Sequence, residues 1–268
     1  MATTRLYSNG ALLLSGEFDE VTQDTISLTS NTYFSNEFDE VTGTPVVDSS
    51  LVLWLDALQT SSYPGSGTTW SDLSGNGNNG TLTNGPTFNS SNGGSILFDG
   101  SNDRISLGTS FTQLDLIDKT IQCWIKKSSA SFKGIVDKDF DSGGGNYGGW
   151  GFWIQSNNKL QWWAASNLDL LDNGVLTVSN TVWTNVAVTW DSIAKTAKFY
   201  INGTLNSTKT NVSIIEKASG SANFLVGAVR NNVFHFNGNI SAVKAYSRIL
   251  SDQEIERNFN ALRRRYGI

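Results

Sequence analysis

The chain of 268 residues carries a formal net charge of -5, a balance that excludes the broad basic face a nucleic-acid groove needs. Its 3 prolines, 26 glycines and 11% aromatic content suit many short strands joined by tight turns, and the length suffices for one large β-domain. No apolar run approaches the roughly 20 residues that span a bilayer, and none forms the core of a secretion signal. The chain is therefore expected to be made in the cytoplasm and to leave it, if at all, by assembly or lysis.

The first stretch contains a repeat: Glu17-Phe18-Asp19-Glu20-Val21-Thr22 recurs as Glu37-Phe38-Asp39-Glu40-Val41-Thr42. Around it, Leu12-Leu13-Leu14 and the alternating Ile26-Ser27-Leu28-Thr29 read as short strands with little core material of their own. Residues 1–45 are thus read as an arm or small anchoring module that needs a partner surface, with Pro45 marking the boundary. Residues 46–268 form the second unit.

Here the pattern becomes dense. Leu51-Val52-Leu53-Trp54-Leu55 is apolar throughout, as in a strand buried on both faces. From Trp70 to Gly108, Asn-Gly pairs let the backbone reverse repeatedly. Two apolar runs, Ser95–Phe98 and Arg104–Leu107, flank a polar loop of Asp99, Gly100, Ser101, Asn102 and Asp103, which predicts a hairpin. Thr120–Lys126 alternates, with Ile121, Cys123 and Ile125 on one face. Trp150, Phe152 and Ile154 share a parity that Leu160, Trp162 and Ala164 match across a turn, provided Asn158 adopts the left-handed conformation. Trp153 and Trp163 then fall on the opposite face. Trp183–Trp190, the Asn202-Gly203 hairpin, Phe224–Val229 and Asn239–Tyr246 complete the strands. Ser251-Asp252-Gln253-Glu254 has the spacing of a capping box and opens a helix predicted over 252–265, with Ile255, Phe259 and Leu262 as its apolar stripe. Arg263, Arg264 and Arg265 then complement the helix dipole.

The Trp, the Asp-Leu-Ser-Gly-Asn-Gly turn and the Phe-Asp-Gly-Ser-Asn-Asp segment occur in the order of laminin-G-like domains. So do Leu-Val-Leu-Trp-Leu-Asp, Val182–Trp190 with Phe-Tyr-Ile-Asn-Gly, and the closing Gly238–Ser251. Over roughly residues 46–260 the chain resembles the laminin-G-like branch of the concanavalin-A-like lectin and glucanase jelly rolls. The resemblance implies an all-β, antiparallel two-sheet jelly-roll sandwich, here with an N-terminal arm and one short C-terminal helix. A segment beginning Arg5-Leu6-Tyr7-Ser8-Asn9-Gly10 ahead of such a domain resembles virion surface proteins of tailed bacteriophages. That arrangement implies a structural protein on the virion surface, bound to other virion proteins through residues 1–45. A homo-oligomer follows, trimer favoured, with cell-surface polysaccharide as the ligand of the lectin alternative.

Glycosidases of this fold set three carboxylates on one face of a strand. Glu17 and Asp19 supply the first two, but Val21 stands where the third is needed, and the second copy fails identically. The chain is expected to be non-catalytic. His235, the single histidine, cannot by itself build a zinc site, and no nucleophile elbow accompanies it. Asp137, Asp139 and Asp141 alternate without the Glu that closes an EF-hand loop, and read as a solvated acidic loop. The resemblance implies a calcium site at Asp99, Asn102 and Asp103, although Asn239–Ala242 lacks the carboxylates often found opposite it. Trp153 and Trp163, with Tyr147 in the adjacent Gly-rich loop, are candidates to stack on sugar rings; a subunit interface or a buried second layer are the alternatives.

Overall fold

The computed structural model describes the backbone of residues 3–8, 11–17 and 32–34 and, beyond these, residues 49–141, 147–164, 169–229 and 233–268. The repeated acidic segments, apart from the backbone of Glu17, lie outside the described residues. Strands β1 (Thr3–Ser8), β2 (Ala11–Glu17) and β3 (Thr32–Phe34) pair in the order β2-β1-β3 as an antiparallel sheet of their own. Among the described residues no helix is long and apolar enough to cross a membrane.

Two larger antiparallel sheets follow. The first contains β4 (Leu51–Asp56), β7 (Thr87–Asn89), β8 (Ser95–Asp99), β10 (Lys119–Lys127), β15 (Thr184–Asp191), β16 (Thr196–Ile201), β17 (Thr204–Thr210) and β19 (Asn237–Tyr246). Its order is β17-β16-β15-β10-β19-β8-β7, and β4 pairs with the other half of the β19 edge that β8 occupies. The second contains β5 (Thr69–Trp70), β6 (Gly80–Thr83), β9 (Arg104–Ser106), β11 (Lys133–Asp141), β12 (Tyr147–Ile154), β13 (Leu160–Ala164), β14 (Asp169–Leu171) and β18 (Leu225–Val226), in the order β14-β13-β12-β11-β18-β9-β6-β5. The inward rows of both sheets meet in one core: Ile121, Cys123 and Ile125 from β10, Val186, Val188 and Trp190 from β15, and Trp150, Phe152, Ile154 and Trp162 from β12 and β13. This is the two-sheet sandwich the sequence predicts. Burial also pushes the Cys123 thiol up, far from any thiolate.

Local chemistry explains the turns. Asn202 and Gly203, at φ 50 and 75°, make the two-residue turn of the β16–β17 hairpin. The β12–β13 register is Trp150 with Ala164, Phe152 with Trp162 and Ile154 with Leu160, and Asn158 at φ 66° allows it. The predicted hairpin at Asp99–Asp103 is corrected. Strand β8 pairs with β7 and β19, whereas β9 pairs with β6 and β18, so the loop crosses from one sheet to the other.

The capping box forms: Ser251 Oγ accepts from Glu254 N, and Glu254 accepts from Ser251 N. Helix α1 (Asp252–Asn260) then lays Ile255 on the outer face of the first sheet, against Tyr200, Tyr246 and Leu250. It ends at Asn260, five residues short of the predicted 252–265, and a 3-10 turn at Arg263–Tyr266 follows. Arg265 does not serve the helix dipole. Its Nη1 donates to the buried Asp56 Oδ1 at 2.8 Å, Nη2 to Gly94 O and Ser241 Oγ, and Nε to Asn92 O. Gly94, at φ 118°, lets the chain pass close enough, since a Cβ there would lie 2.4 Å from Ala57 O.

Removing one partner of a buried ion pair strands the other charge. Arg265→Ala is therefore expected to cost about 3–5 kcal/mol in denaturant unfolding, and a variant as stable as the parent would show that the pair adds nothing.

Candidate functional site

The outer face of the second sheet concentrates the chain's unusual chemistry. Ile135 is an extra residue in β11: Gly134 pairs with Trp153, and Val136 with Phe152. This bulge turns Asp137 and Asp139 outward, beside Trp153 of β12 and Trp163 of β13. The carboxylates are not in a solvated loop, as the alternation alone suggests. They stand on a strand, Asp137 fully buried and Asp139 nearly so.

Trp153 Nε1 donates to Asp137 Oδ1 at 2.7 Å. Gly151 makes that bond possible, because a Cβ there would lie 2.3 Å from Trp153 Nε1 and 2.6 Å from Asp137 Oδ1. Burial first, and then the charge of Asp139, raise Asp137 well above the usual carboxylate range. The neighbouring Asp139 carboxyl favours the protonated form of Asp137, while the bonds that Asp137 accepts from Trp153 Nε1 and Asp139 N act against the shift. Gln161 of β13 is buried on the same face.

The indoles of Trp153 and Trp163 stack at 5.8 Å with 20° between their planes. Their exposures are 5% and 3%, so neither offers a free face to a sugar ring. They belong to the buried second layer that the sequence left open. The side chain of Tyr147 lies outside the described residues. Phe132 closes the stack edge-on, 5.3 Å from Trp153, and Phe234 in turn meets Phe132 edge-on at 4.7 Å. Phe234 is 54% exposed, and its carbonyl accepts from Gly134 N. The row of rings thus ends in one open aromatic face. Sequence reasoning used Phe234 only as a neighbour of His235; its φ of 50°, which turns the ring outward, has no sequence signal in a non-glycine residue.

Asp99, Asn102 and Asp103 do converge. Asp99 Oδ1 accepts from Ser101 N and Asn102 N, which lowers the Asp99 pKa, and Asp103 Oδ2 accepts from Asp99 N. Burial raises Asp103, and His235 Nδ1 lies 3.3 Å from its carbonyl oxygen. Calcium takes about six to eight oxygens. Here backbone N–H groups hold one oxygen of each carboxylate, and Arg104 Nη1 and Asn84 Nδ2 both donate to Asn102 O. Among the described residues no group of three or more His, Cys, Asp or Glu is placed to hold a metal. The donor set does not fit calcium; it fits a self-capped crossover loop.

Residues 99–256 match the sequence profile of the concanavalin A-like lectin/glucanases superfamily. No curated protein matches the chain in sequence. Among solved structures, the botulinum neurotoxin serotype D binding domain is similar at TM-score 0.59 and 20% identity, over 80% of this chain and 52% of that one. Domain 4 of AbnA, a GH43 extracellular arabinanase from Geobacillus stearothermophilus solved with arabinotriose, is similar at 0.57 and 18%, over 78% and 97%. The Trypanosoma rangeli sialidase solved with sialic acid is similar at 0.58 and 13%, over 79% and 33%. The chain spans about half the length of the toxin binding domains it matches.

Three outcomes test this geometry. Trp163→Ala is expected to cost about 3–5 kcal/mol, the range for a large buried aromatic; unfolding at the parent's denaturant midpoint would place the indole in solvent. Asp137 ionises near 3.9 when unfolded and higher when folded, so its contribution is present at low pH and lost as pH rises through the folded value. Asp137→Asn, which mimics the protonated form, should therefore melt above the parent at pH 7, with the gap closing towards pH 4; a gap independent of pH contradicts the shift. Calcium and chelator should give the same melting temperature, whereas a concentration-dependent rise that Asp103→Ala removes would reveal a bound ion.

Proposed function

Because the chain belongs to the concanavalin A-like lectin/glucanases superfamily, we propose that it is a non-catalytic carbohydrate-recognition module carried on a larger assembly. The observation that carries this reading is Phe234, an open ring braced edge-on by Phe132 against the buried Trp153–Trp163 stack. A rigid aromatic exposed on one side suits the flat apolar face of a sugar. The match over 97% of the arabinanase domain solved with arabinotriose supports a module of this size acting as a binding unit. Fold alone does not fix function.

The assembly in this proposal is the tailed-phage virion surface. The separate β2-β1-β3 sheet of the N-terminal segment supports a division of labour in which residues 1–45 anchor a homo-oligomer, trimer favoured, and the sandwich faces outward.

A glycan array probed with the full chain, including arabinan and sialylated oligosaccharides, should show binding that Phe234→Ala reduces at least tenfold without lowering the melting temperature. No new reducing ends should appear. An array blank for every glycan sinks the lectin reading, and hydrolysis lost in Asp137→Asn sinks the non-catalytic one. Light scattering reports the oligomer, and a monomeric full chain contradicts the anchoring role of the arm.

A further inference from the structure

Under α1, where it crosses β10 and β19, lies a cavity of about 10 Å³ lined by Trp124, Lys244, Asn258 and Gln122, among others. Three of these lining residues carry buried polar atoms that have no hydrogen-bond partner among the described residues: Lys244 Nζ, Trp124 Nε1 and Asn258 Oδ1. Their residues are 3%, 2% and 2% exposed. The other end of the Asn258 amide is fixed, because Nδ2 donates to Gln122 Oε1 at 3.1 Å and to Tyr246 Oη at 3.0 Å. Gln122 is held in turn by donating Nε2 to Asn185 Oδ1 at 2.8 Å. The amide orientation therefore follows from the network, and Oδ1 is left over as an acceptor.

The remaining set is two donors and one acceptor around a space of molecular size. A buried water typically makes about three hydrogen bonds to otherwise unsatisfied groups, and needs roughly 10–15 Å³ of such space. We propose that a single water molecule is bound here as part of the fold, accepting from Lys244 Nζ and Trp124 Nε1 and donating to Asn258 Oδ1. It links β10, β19 and α1 through one oxygen. A halide would satisfy both donors but would face the Asn258 carbonyl oxygen, so the acceptor selects water. Lys244 meets the ring of Trp54 with Nζ 5.7 Å from its centroid. That contact leaves its hydrogens seeking an oxygen, and an ammonium without one pays the cost of a buried unpaired donor.

A crystal structure of the full chain from bromide-soaked crystals, paired with water-edited NMR of the Trp124 indole, tests the site. The expected result is a peak without anomalous signal within hydrogen-bond distance of all three atoms, and a rotating-frame cross peak of direct dipolar sign between water and Trp124 Hε1. Lys244→Met keeps the apolar stem and removes one of the three partners, so the cross peak should weaken at least twofold. A dry cavity, an anomalous bromide peak at this position, or a cross peak indifferent to Lys244→Met overturns the proposal. Should Lys244→Met fail to fold, the parent's density and cross peak decide alone.

Discussion

The Arg265–Asp56 ion pair ties the end of the chain to its first sandwich strand, and much of one sheet face depends on it. Asp56 ends β4, Ser241 is the bulged residue of β19, and Gly94 precedes β8; Arg265 reaches all three. Its neighbour Tyr266 donates to the same Ser241 hydroxyl at 2.7 Å and stacks on Trp124 at 4.0 Å. Trp183 packs on Tyr266 and donates Nε1 to Asn92 Oδ1. A planar guanidinium with five donors can meet these separate acceptors at once, which a lysine ammonium cannot do with the same geometry. The charge is costly to bury and is compensated here by hydrogen bonds on each nitrogen, so the pair specifies where the terminal turn sits more than it adds net stability.

That constraint explains why α1 can be short. Nine residues with a capping box are marginal as an isolated helix. Here the helix is fixed at its start by Arg248, which donates to both oxygens of Glu254 and helps to hold that carboxylate near 2. Beyond its end the Arg265 cluster takes over. Between the two, Ile255, Phe259 and Leu262 lie on the sheet. The outer face of the first sheet is thereby covered by α1 and the 3-10 turn that follows it.

The sequence was most legible where a local rule has one geometric solution. Period-two alternation assigned Trp150, Phe152 and Trp162 to the core, and Asn202-Gly203 and Ser251–Glu254 named their own turn and cap. It was least legible where one pattern serves two geometries. Five polar residues between apolar runs fit a hairpin or a crossover equally well, and only the partners of β8 and β9 decide. Asp137 and Asp139 read as a loop because a bulge at Ile135 is invisible in residue types, and acidic residues are seldom buried. The burial of Trp153 and Trp163 escaped the sequence for a related reason. Parity puts Trp153 and Trp163 on the outer face correctly, but an outer face is exposed only if nothing covers it, and Phe132 and Val229 cover this one.

The two outer faces are therefore closed in different ways, and the difference bears on function. The first is closed by the amphipathic α1, a solution with ordinary energetics. The second is closed by aromatic rings over two carboxyls, one of them with its pKa raised by burial, on a bulged strand with glycines set opposite. A face that only needed covering would be cheaper with aliphatic residues in place of Asp137 and Asp139, since taking carboxyl groups out of water costs desolvation. Breaches of local consistency of this kind concentrate where a surface is held for a task rather than for stability. Asp137 holds Trp153, and Trp153 and Phe132 brace Phe234 edge-on; in the proposed glycan role, the stiffness of that ring would keep the entropy cost of stacking low.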